Sequence, residues 1–231
     1  MDNEHCVLRS ECKYAITAAQ IPLLRSRISA LMRSDPHAGK EGSYHISSLY
    51  FDDNQNRCYY DNENGTSPRE KFRIRIYDHD TRRIMLECKR KEHGKCCKQS
   101  CQITMEQAQM LIEGRPVPEV DRLPPLLRKM TVQQQMRRLM PAVIVEYDRV
   151  AYIFDHGNVR VTFDMNIAAT KEVTEFFTGL GMRRPVMPSG QHLMELKYDE
   201  YLPGAVHSFL NLGQMRQITF SKYHLCRKRT I

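Results

Sequence analysis

Hydrophobic and polar residues alternate most clearly at positions 69–77, which read REKFRIRIY. Successive side chains of a β-strand point to opposite faces of the sheet. The stretch therefore predicts a strand whose apolar face carries Phe72, Ile74 and Ile76. Its other face carries four cations and a tyrosine, namely Arg69, Lys71, Arg73, Arg75 and Tyr77. Because like charges repel, either water or a bound anion must lie against this face.

Seven further segments show the same alternation and predict strands near positions 7–16, 43–51, 83–91, 95–103, 142–152, 158–164 and 192–198. Short turns join most of them, so the strands should pair largely antiparallel. Helical spacing of apolar residues predicts helices near 21–32, 54–60, 104–114, 126–140 and 203–212. Thr104 and Gln107 have capping-box spacing. Ser221, Lys222 and Tyr223 are expected at the end of a last short element, and the pattern as a whole indicates an α+β fold.

The polar faces of these strands are rich in Lys and Arg, and a Glu precedes a Lys by two positions three times, at 11 and 13, 87 and 89, and 195 and 197. One interpretation is a set of ordinary solvated faces. The other is a closed barrel of eight antiparallel strands whose charged faces point inward, which is wide enough for one small ligand. Such an interior would suit an oligophosphate with a divalent metal, because cations neutralise phosphate oxygens and Glu binds hard cations. The pattern alone leaves both interpretations open.

Composition narrows the class of partner. The chain has 231 residues and a net charge of +8, with 41% apolar and 27% charged residues, which fits one soluble domain over residues 1–231 with an anionic partner. The absence of Trp and the alternating placement of the cations argue against nucleic acid. No apolar run is long enough to span a bilayer and no secretory signal is present, so we expect a cytoplasmic protein with reduced cysteines.

Several motifs, in chain order, resemble those of the VTC-type polyphosphate polymerase domain, a member of the triphosphate tunnel metalloenzyme (CYTH-like) superfamily. They are ECKY at position 11, SLYFD at 48, KFRIRIY at 71, LECKRK at 86, EYDR at 146, VRVTFD at 159, MELK at 194 and SKY at 221. The resemblance implies an eight-stranded antiparallel tunnel with flanking helices. It also implies a polymerase that transfers the γ-phosphoryl of ATP to polyphosphate with Mn²⁺ or Mg²⁺.

The resemblance also implies site residues. Those expected to act on the phosphates during transfer are Arg73, Arg75, Lys89, Arg149, Arg160 and Lys222. Those expected to bind the substrate are Lys13, Lys98, Tyr147, Lys197 and Ser221. Glu195 is expected to hold the metal, and Glu11 and Glu87 resemble metal-site glutamates of other tunnel enzymes. Lys98 is the weakest match, because CCKQSC is less basic than the family pattern.

Three functions remain open from the sequence. The first is a polyphosphate polymerase, the second a tripolyphosphatase or NTPase that uses water as acceptor in the same tunnel, and the third a non-catalytic module that binds polyphosphate or inositol phosphates. The sequence contains no P-loop, HExxH or GxSxG motif. This is consistent with phosphoryl transfer by positioning and charge neutralisation, which needs no covalent nucleophile. The oligomeric state is left open.

Overall fold

The computed structural model describes residues 9–39 and 42–231. Its strands are β1 (Ser10–Thr17), β2 (Arg33–Ser34), β3 (Tyr44–Asp52), β4 (Arg69–Tyr77), β5 (Asp80–Glu92), β6 (Lys95–Ile103), β7 (Met140–Phe154), β8 (Val159–Thr170), β9 (Arg184–Pro185) and β10 (Gln191–Tyr198). Its α-helices are α1 (Gln20–Ser29), α2 (Arg57–Glu63), α3 (Met105–Ile112), α4 (Pro125–Arg137), α5 (Gly204–Leu210) and α6 (Lys222–Lys228). The α+β prediction is confirmed. Val7 and Leu8, the first residues of the predicted first strand, lie outside the described residues.

Eight long strands form one antiparallel sheet in the order β1-β10-β8-β7-β3-β4-β5-β6. The sheet is curled, so that β1 and β6 at its two edges approach each other. Within the described residues these edges share a single bridge, in which Arg9 and Cys96 exchange backbone hydrogen bonds of 3.2 and 3.4 Å. The predicted closed barrel, with a continuous ladder around the wall, is therefore not confirmed.

The apolar faces of the strands point outward and are covered by helices. On one side, residues such as Ile74 and Leu86 pack with Leu111 and Leu127 from α3 and α4. On the other side, the outer faces of β1, β7, β8 and β10 pack against α1 and α5. The charged faces are consequently enclosed by the curl of the sheet, which decides against the interpretation as ordinary solvated faces.

Helix ends follow the local sequence in two cases and depart from it in one. Thr104 and Gln107 form the predicted capping box of α3. In α1, Gln20 accepts from the amide of Thr17, and the helix begins early enough to place Pro22 in its first turn, where a missing N–H is tolerated. The prediction for Ser221 is wrong, because Ser221 caps the start of α6.

Cys97 is disulfide-bonded, so the prediction of reduced cysteines is wrong for this residue.

Asp52 at the end of β3 attaches α2 and α6 to the sheet. Its carboxylate is buried and accepts hydrogen bonds from the amides of Cys58 and Tyr59 at 2.9 and 3.2 Å, and a short one from the hydroxyl of Tyr223. This contact fixes the start of α6, which carries Lys222. Among the described residues, no helix has the length and apolar character required to cross a bilayer.

Replacing Asp52 by Ala should lower the free energy of unfolding by about 2–4 kcal/mol, because four donors, including the amide of Asp53, lose a common buried acceptor. Chemical denaturation monitored by circular dichroism measures this change. Asp155→Ala is a matched control, since that carboxylate is 68% exposed in its ion pair with Arg33 and should contribute less than about 1 kcal/mol. Equal stabilities of the two variants would contradict the assigned role of Asp52.

Candidate functional site

The charged inner faces of the sheet surround a cavity of about 620 Å³, called here the basic cavity. Among residues 9–39 and 42–231, its lining contains thirteen Lys or Arg side chains and two Glu. All twelve site residues expected from the sequence lie in this lining: Lys13, Arg73, Arg75, Lys89, Lys98, Tyr147, Arg149, Arg160, Glu195, Lys197, Ser221 and Lys222. The structure therefore brings together residues from seven strands and the start of α6.

Arg73 and Arg75 lie two residues apart on β4, and neighbouring strands fix their guanidinium groups. Arg73 is bonded to Glu87 on β5, with an Nε–Oε2 distance of 2.7 Å, and donates to the hydroxyl of Tyr50 at 2.6 Å. Arg75 donates to the hydroxyls of Ser48 at 3.0 Å and Tyr147 at 3.2 Å. Their side chains are only 13% and 7% exposed, so both charges are held inside the wall in defined orientations.

Arg149 and Lys222 share a buried carboxylate, and both lie over the ring of Tyr147, at 5.1 and 4.9 Å. Arg149 makes a two-pronged contact with Asp164, at 2.6 and 2.7 Å, and Lys222 lies 2.6 Å from the same carboxylate. Lys222 also donates to Glu195 at 2.5 Å. Glu195 also forms ion pairs with Arg149, Lys197 and Lys13, at N–O distances of 3.7, 3.4 and 3.8 Å.

Glu11 forms ion pairs with a third group of cations. It lies 2.8 Å from Lys89, 3.5 Å from Lys197 and 3.9 Å from Lys13. Lys13 also donates to the backbone oxygen of Phe220, just before α6, at 2.6 Å. These contacts show that Glu11 pairs with neighbouring cations.

The remaining expected residues lie nearer the openings. Arg160 donates to Asp35 at 2.6 Å and to Tyr44 at 2.9 Å, and Lys98 donates to Glu87 at 3.1 Å while remaining 53% exposed. A second cavity of about 660 Å³ adjoins this region and shares four lining residues with the basic cavity, namely Tyr44, Tyr77, Lys98 and Arg160. Ser221 accepts from the amide of His224 through its side-chain oxygen, and its hydroxyl proton is available to a ligand.

Burial and charge work against each other on the carboxylates of the cavity. Burial alone would raise the pKa of Glu195, but Lys222, Lys197, Lys13 and Arg149 outweigh it and hold the pKa far below its ordinary value. The same balance, with other cations, lowers the pKa of Glu11, Glu87 and Asp164. These carboxylates are therefore anionic at neutral pH and neutralise part of the cationic lining.

Four residues in or beside the lining were not assigned a role from the sequence. Tyr50 and Ser48 orient the two arginines of β4, Asp164 holds Arg149 and Lys222, and Lys71 lies over the ring of Tyr223 at 4.7 Å. Asp164 and Ser48 lie within motifs that carry the family resemblance, and strand alternation places Lys71 on the cationic face. Their roles depend on the pairing register of the strands, which alternation does not specify.

The lining has the chemistry of an anion site that can also accept a hard cation. Within the described residues, the buried Nε of Arg160, a residue of the lining, lacks a hydrogen-bond partner. Mg²⁺ and related ions are commonly held by one or two carboxylates together with substrate phosphates. Glu195 fits this arrangement, since its oxygens face the cations of the lining and would be released if a bound anion replaced it as their counter-charge.

Comparison with known proteins yields one sequence family and several similar folds. The family model described as the VTC domain matches residues 8–231. A search of curated protein sequences finds no significant match.

Among solved structures, a candidate adenylyl cyclase of Hippeastrum, described as having a dominant triphosphatase activity, has a TM-score of 0.55 at 13% identity. The match covers 97% of each chain. A candidate adenylate cyclase of Bacillus halodurans has a TM-score of 0.53 at 13% identity, covering 92% of this chain and 95% of that one. The PH1819 protein of Pyrococcus horikoshii has a TM-score of 0.51 at 13% identity, covering 96% and 99%. Likeness at this level of identity establishes a shared fold.

Lys71 should make oligophosphate binding depend on pH. Burial, with further contributions from Arg69, Lys89 and Lys13, lowers the pKa of Lys71 to about 7. A bound phosphate would raise this pKa toward its ordinary value, so binding above pH 7 takes up a proton. We expect calorimetry to show that the affinity for tripolyphosphate falls about fivefold more between pH 7 and pH 8 in the wild type than in Lys71→Met.

Tripolyphosphate titrates in the same range, and the comparison with the variant removes that contribution. Lys171→Met, which removes an exposed lysine outside the lining, should keep the pH dependence of the wild type. The same pH dependence in Lys71→Met and wild type would show that Lys71 does not gain a proton on binding.

Proposed function

We propose, from the premise that the chain belongs to the VTC domain family, that it is a metal-dependent polyphosphate polymerase with ATP as the phosphoryl donor. The observation that carries this proposal is the convergence of thirteen cationic side chains and two Glu on one enclosed cavity. Nothing about this lining favours a neutral or cationic substrate. A chain of phosphates, by contrast, would satisfy the cations along its whole length.

In the proposed complex, phosphate oxygens replace carboxylates as the partners of the cations. Arg73 and Arg75 would bind successive phosphates from one wall, because they project from the same face of β4. Arg149, Arg160, Lys89 and Lys222 would bind the transferring phosphoryl and its neighbours from the others. Each guanidinium is already oriented by a tyrosine, serine or carboxylate, so little reorganisation is required in the transition state.

Mn²⁺ or Mg²⁺ would be held by Glu195 together with phosphate oxygens, and would neutralise charge on the reacting phosphates. Lys13, Lys98, Lys197, Tyr147 and Ser221 would bind the remainder of the phosphate chain. The curled sheet is proposed to work as a closed tunnel, and the second cavity would extend it beyond Tyr44 and Tyr77. A growing chain could then leave the cavity on the side away from incoming ATP.

The second candidate function is hydrolysis of triphosphate or nucleoside triphosphate in the same cavity. The similar fold of the Hippeastrum protein, which is described as a triphosphatase, favours this candidate. The two activities share every contact to the donor and differ in whether water or a phosphate chain reaches the transferring phosphoryl. A non-catalytic oligophosphate-binding module is the third candidate, and it would bind without turnover.

Incubation with ATP and Mn²⁺, with the products resolved by chain length, separates these candidates. We expect polyphosphate from the wild type, and a loss of kcat/KM of about 100-fold or more in Arg73→Ala, because a pre-oriented charge is removed. Arg122→Ala, at a site where the side chain is 83% exposed, should retain activity. Orthophosphate without polymer would identify the hydrolase, and tight binding without either product would identify the binding module.

Glu195→Gln should have opposite effects with and without metal. In the absence of metal, the affinity for tripolyphosphate should rise, because Lys222 and Lys197 lose a competing anion. In its presence, the Mn²⁺ concentration that gives half-maximal activity should increase by about 10-fold, since the ion loses a carboxylate ligand. Isothermal titration and activity at a series of metal concentrations measure the two effects. A variant with unchanged metal dependence would place the ion elsewhere.

A further inference from the structure

A second group of metal-ligand side chains lies on the outer face of the sheet, outside the lining of the basic cavity. It consists of His45 on β3, His79 in the turn between β4 and β5, and Glu146 on β7. Their donor atoms all lie within 4.8 Å of one another, and Nε2 of His45 is 3.5 Å from Oε1 of Glu146. Donors that share a tetrahedral Zn²⁺ ion at about 2.1 Å lie about 3.4 Å apart, so this pair already has the required spacing.

Hydrogen bonds from neighbouring side chains orient two of the three donors. Nδ1 of His45 lies 2.8 Å from Asp148, whose other oxygen accepts from Asn166 at 2.9 Å. Oε2 of Glu146 accepts from the hydroxyl of Thr170 at 2.8 Å, while Oε1 accepts from the hydroxyl of Ser47 at 3.3 Å and faces the imidazole of His45. A carboxylate behind a histidine and a hydrogen-bonded ligating carboxylate are the usual outer contacts of metal sites.

His79 is held in place by the backbone around it. Asp78 and His79 both have positive φ, as a tight two-residue hairpin turn requires. The imidazole lies so close to Gly179 that a Cβ at that position would be 2.6 Å from Cε1 of the ring. Among the described residues, the buried Nδ1 of His79 has no hydrogen-bond partner. The ring is therefore fixed by packing, with no hydrogen bond to its Nδ1.

Arg183 places a cation at the point where the three donors converge. Its Nη2 lies 3.1 Å from Oε1 of Glu146, 3.4 Å from Nε2 of His79 and 3.5 Å from Nε2 of His45. The side chain of Arg183 is 42% exposed, so it can turn outward into water.

We propose that His45, His79 and Glu146 form a binding site for a divalent transition-metal ion, which takes the position of the Arg183 guanidinium. Two imidazole nitrogens and one carboxylate oxygen suit Zn²⁺ and its neighbours better than Mg²⁺ or Ca²⁺, which prefer oxygen ligands. The site therefore differs in chemistry from the carboxylate and phosphate oxygens proposed for the basic cavity. A bound ion ties the turn that follows Arg73 and Arg75 to β3 and β7.

The competing explanation is a permanent ion network, in which Arg183 is the only cation the group accepts. The two explanations predict opposite effects of removing Arg183. If its guanidinium competes with a metal, Arg183→Ala should bind Zn²⁺ more tightly than the wild type. If the network is complete in itself, the same variant should be less stable and should still bind no metal.

The test is titration of chelator-treated protein with Zn²⁺, with the stoichiometry and affinity taken from calorimetry. We expect one site per chain, an affinity reduced about 10–100-fold in Asp148→Asn, and a loss at least as large in His79→Ala. His207→Ala is the control for removal of an exposed histidine elsewhere and should match the wild type. Thermal unfolding of each variant without metal shows that it is folded, and His79 is a turn residue whose replacement leaves the core intact.

Two further measurements separate this site from the basic cavity. Co²⁺ bound to two imidazoles and a carboxylate should give visible absorption bands of four-coordinate geometry, and these should be absent in His79→Ala. Glu195→Gln should leave the outer site unchanged. The proposal is overturned if neither the wild type nor Arg183→Ala retains stoichiometric Zn²⁺, or if Glu195→Gln removes the Zn²⁺ site while His79→Ala does not.

Discussion

Neutralisation of enclosed positive charge is the constraint on which the rest of this structure depends. Guanidinium and ammonium groups from several strands face one another across a space of about 620 Å³, where water screens them poorly. Glu11, Glu87, Asp164 and Glu195 each contact at least two of these cations. Without the carboxylates the like charges inside the curled sheet would repel one another and destabilise it. With too many carboxylates the cavity would no longer attract an anion.

The same constraint explains why the polarity of the sheet is reversed from that of a common half-exposed sheet. Charged residues occupy the concave face, and the apolar residues on the convex face need helices to cover them. Helices α1 and α5 cover one half of the convex face, and helices α3 and α4 cover the other half. Lys222 differs from most of the charged groups, because it enters the cavity from the start of a helix and not from a strand. Its position depends on Asp52 and Tyr223, which attach that helix to the end of β3.

Much of the wall could be predicted from the sequence, because alternation is a local property. The strand from Arg69 to Tyr77 has the predicted bounds, and every residue expected to face the ligand does line one cavity. Local patterns do not contain the direction in which the sheet curls, so they left open whether the charged faces point inward or into solvent. The single bridge between Arg9 and Cys96 likewise depends on where the two edges of the curled sheet come together.

Partners that are distant in the chain were beyond the reach of sequence patterns. Tyr50 meets Arg73, and Asp164 meets Lys222, only through strand register and helix placement. The group of His45, His79 and Glu146 has no spacing signal at all, because one member lies in a turn and the others on two strands. Ser221 was expected at the end of an element, but it caps the start of α6. A serine before a short helical run can either end the preceding segment or cap the helix, and the sequence does not distinguish these roles.

The pairing of β1 with β10 has a consequence for the order in which the chain folds. Ser10 pairs with Tyr198 and Thr17 with Gln191, so the first described strand has its main neighbour about 180 residues away. Contacts of such long range slow folding, because a large loop must close before they form. During synthesis β1 can pair with β10 only after β10 has been made. Glu11 and Lys13 come next to Lys197 and Glu195 when these two strands pair. The cationic space is thus completed by contacts of very long range along the chain.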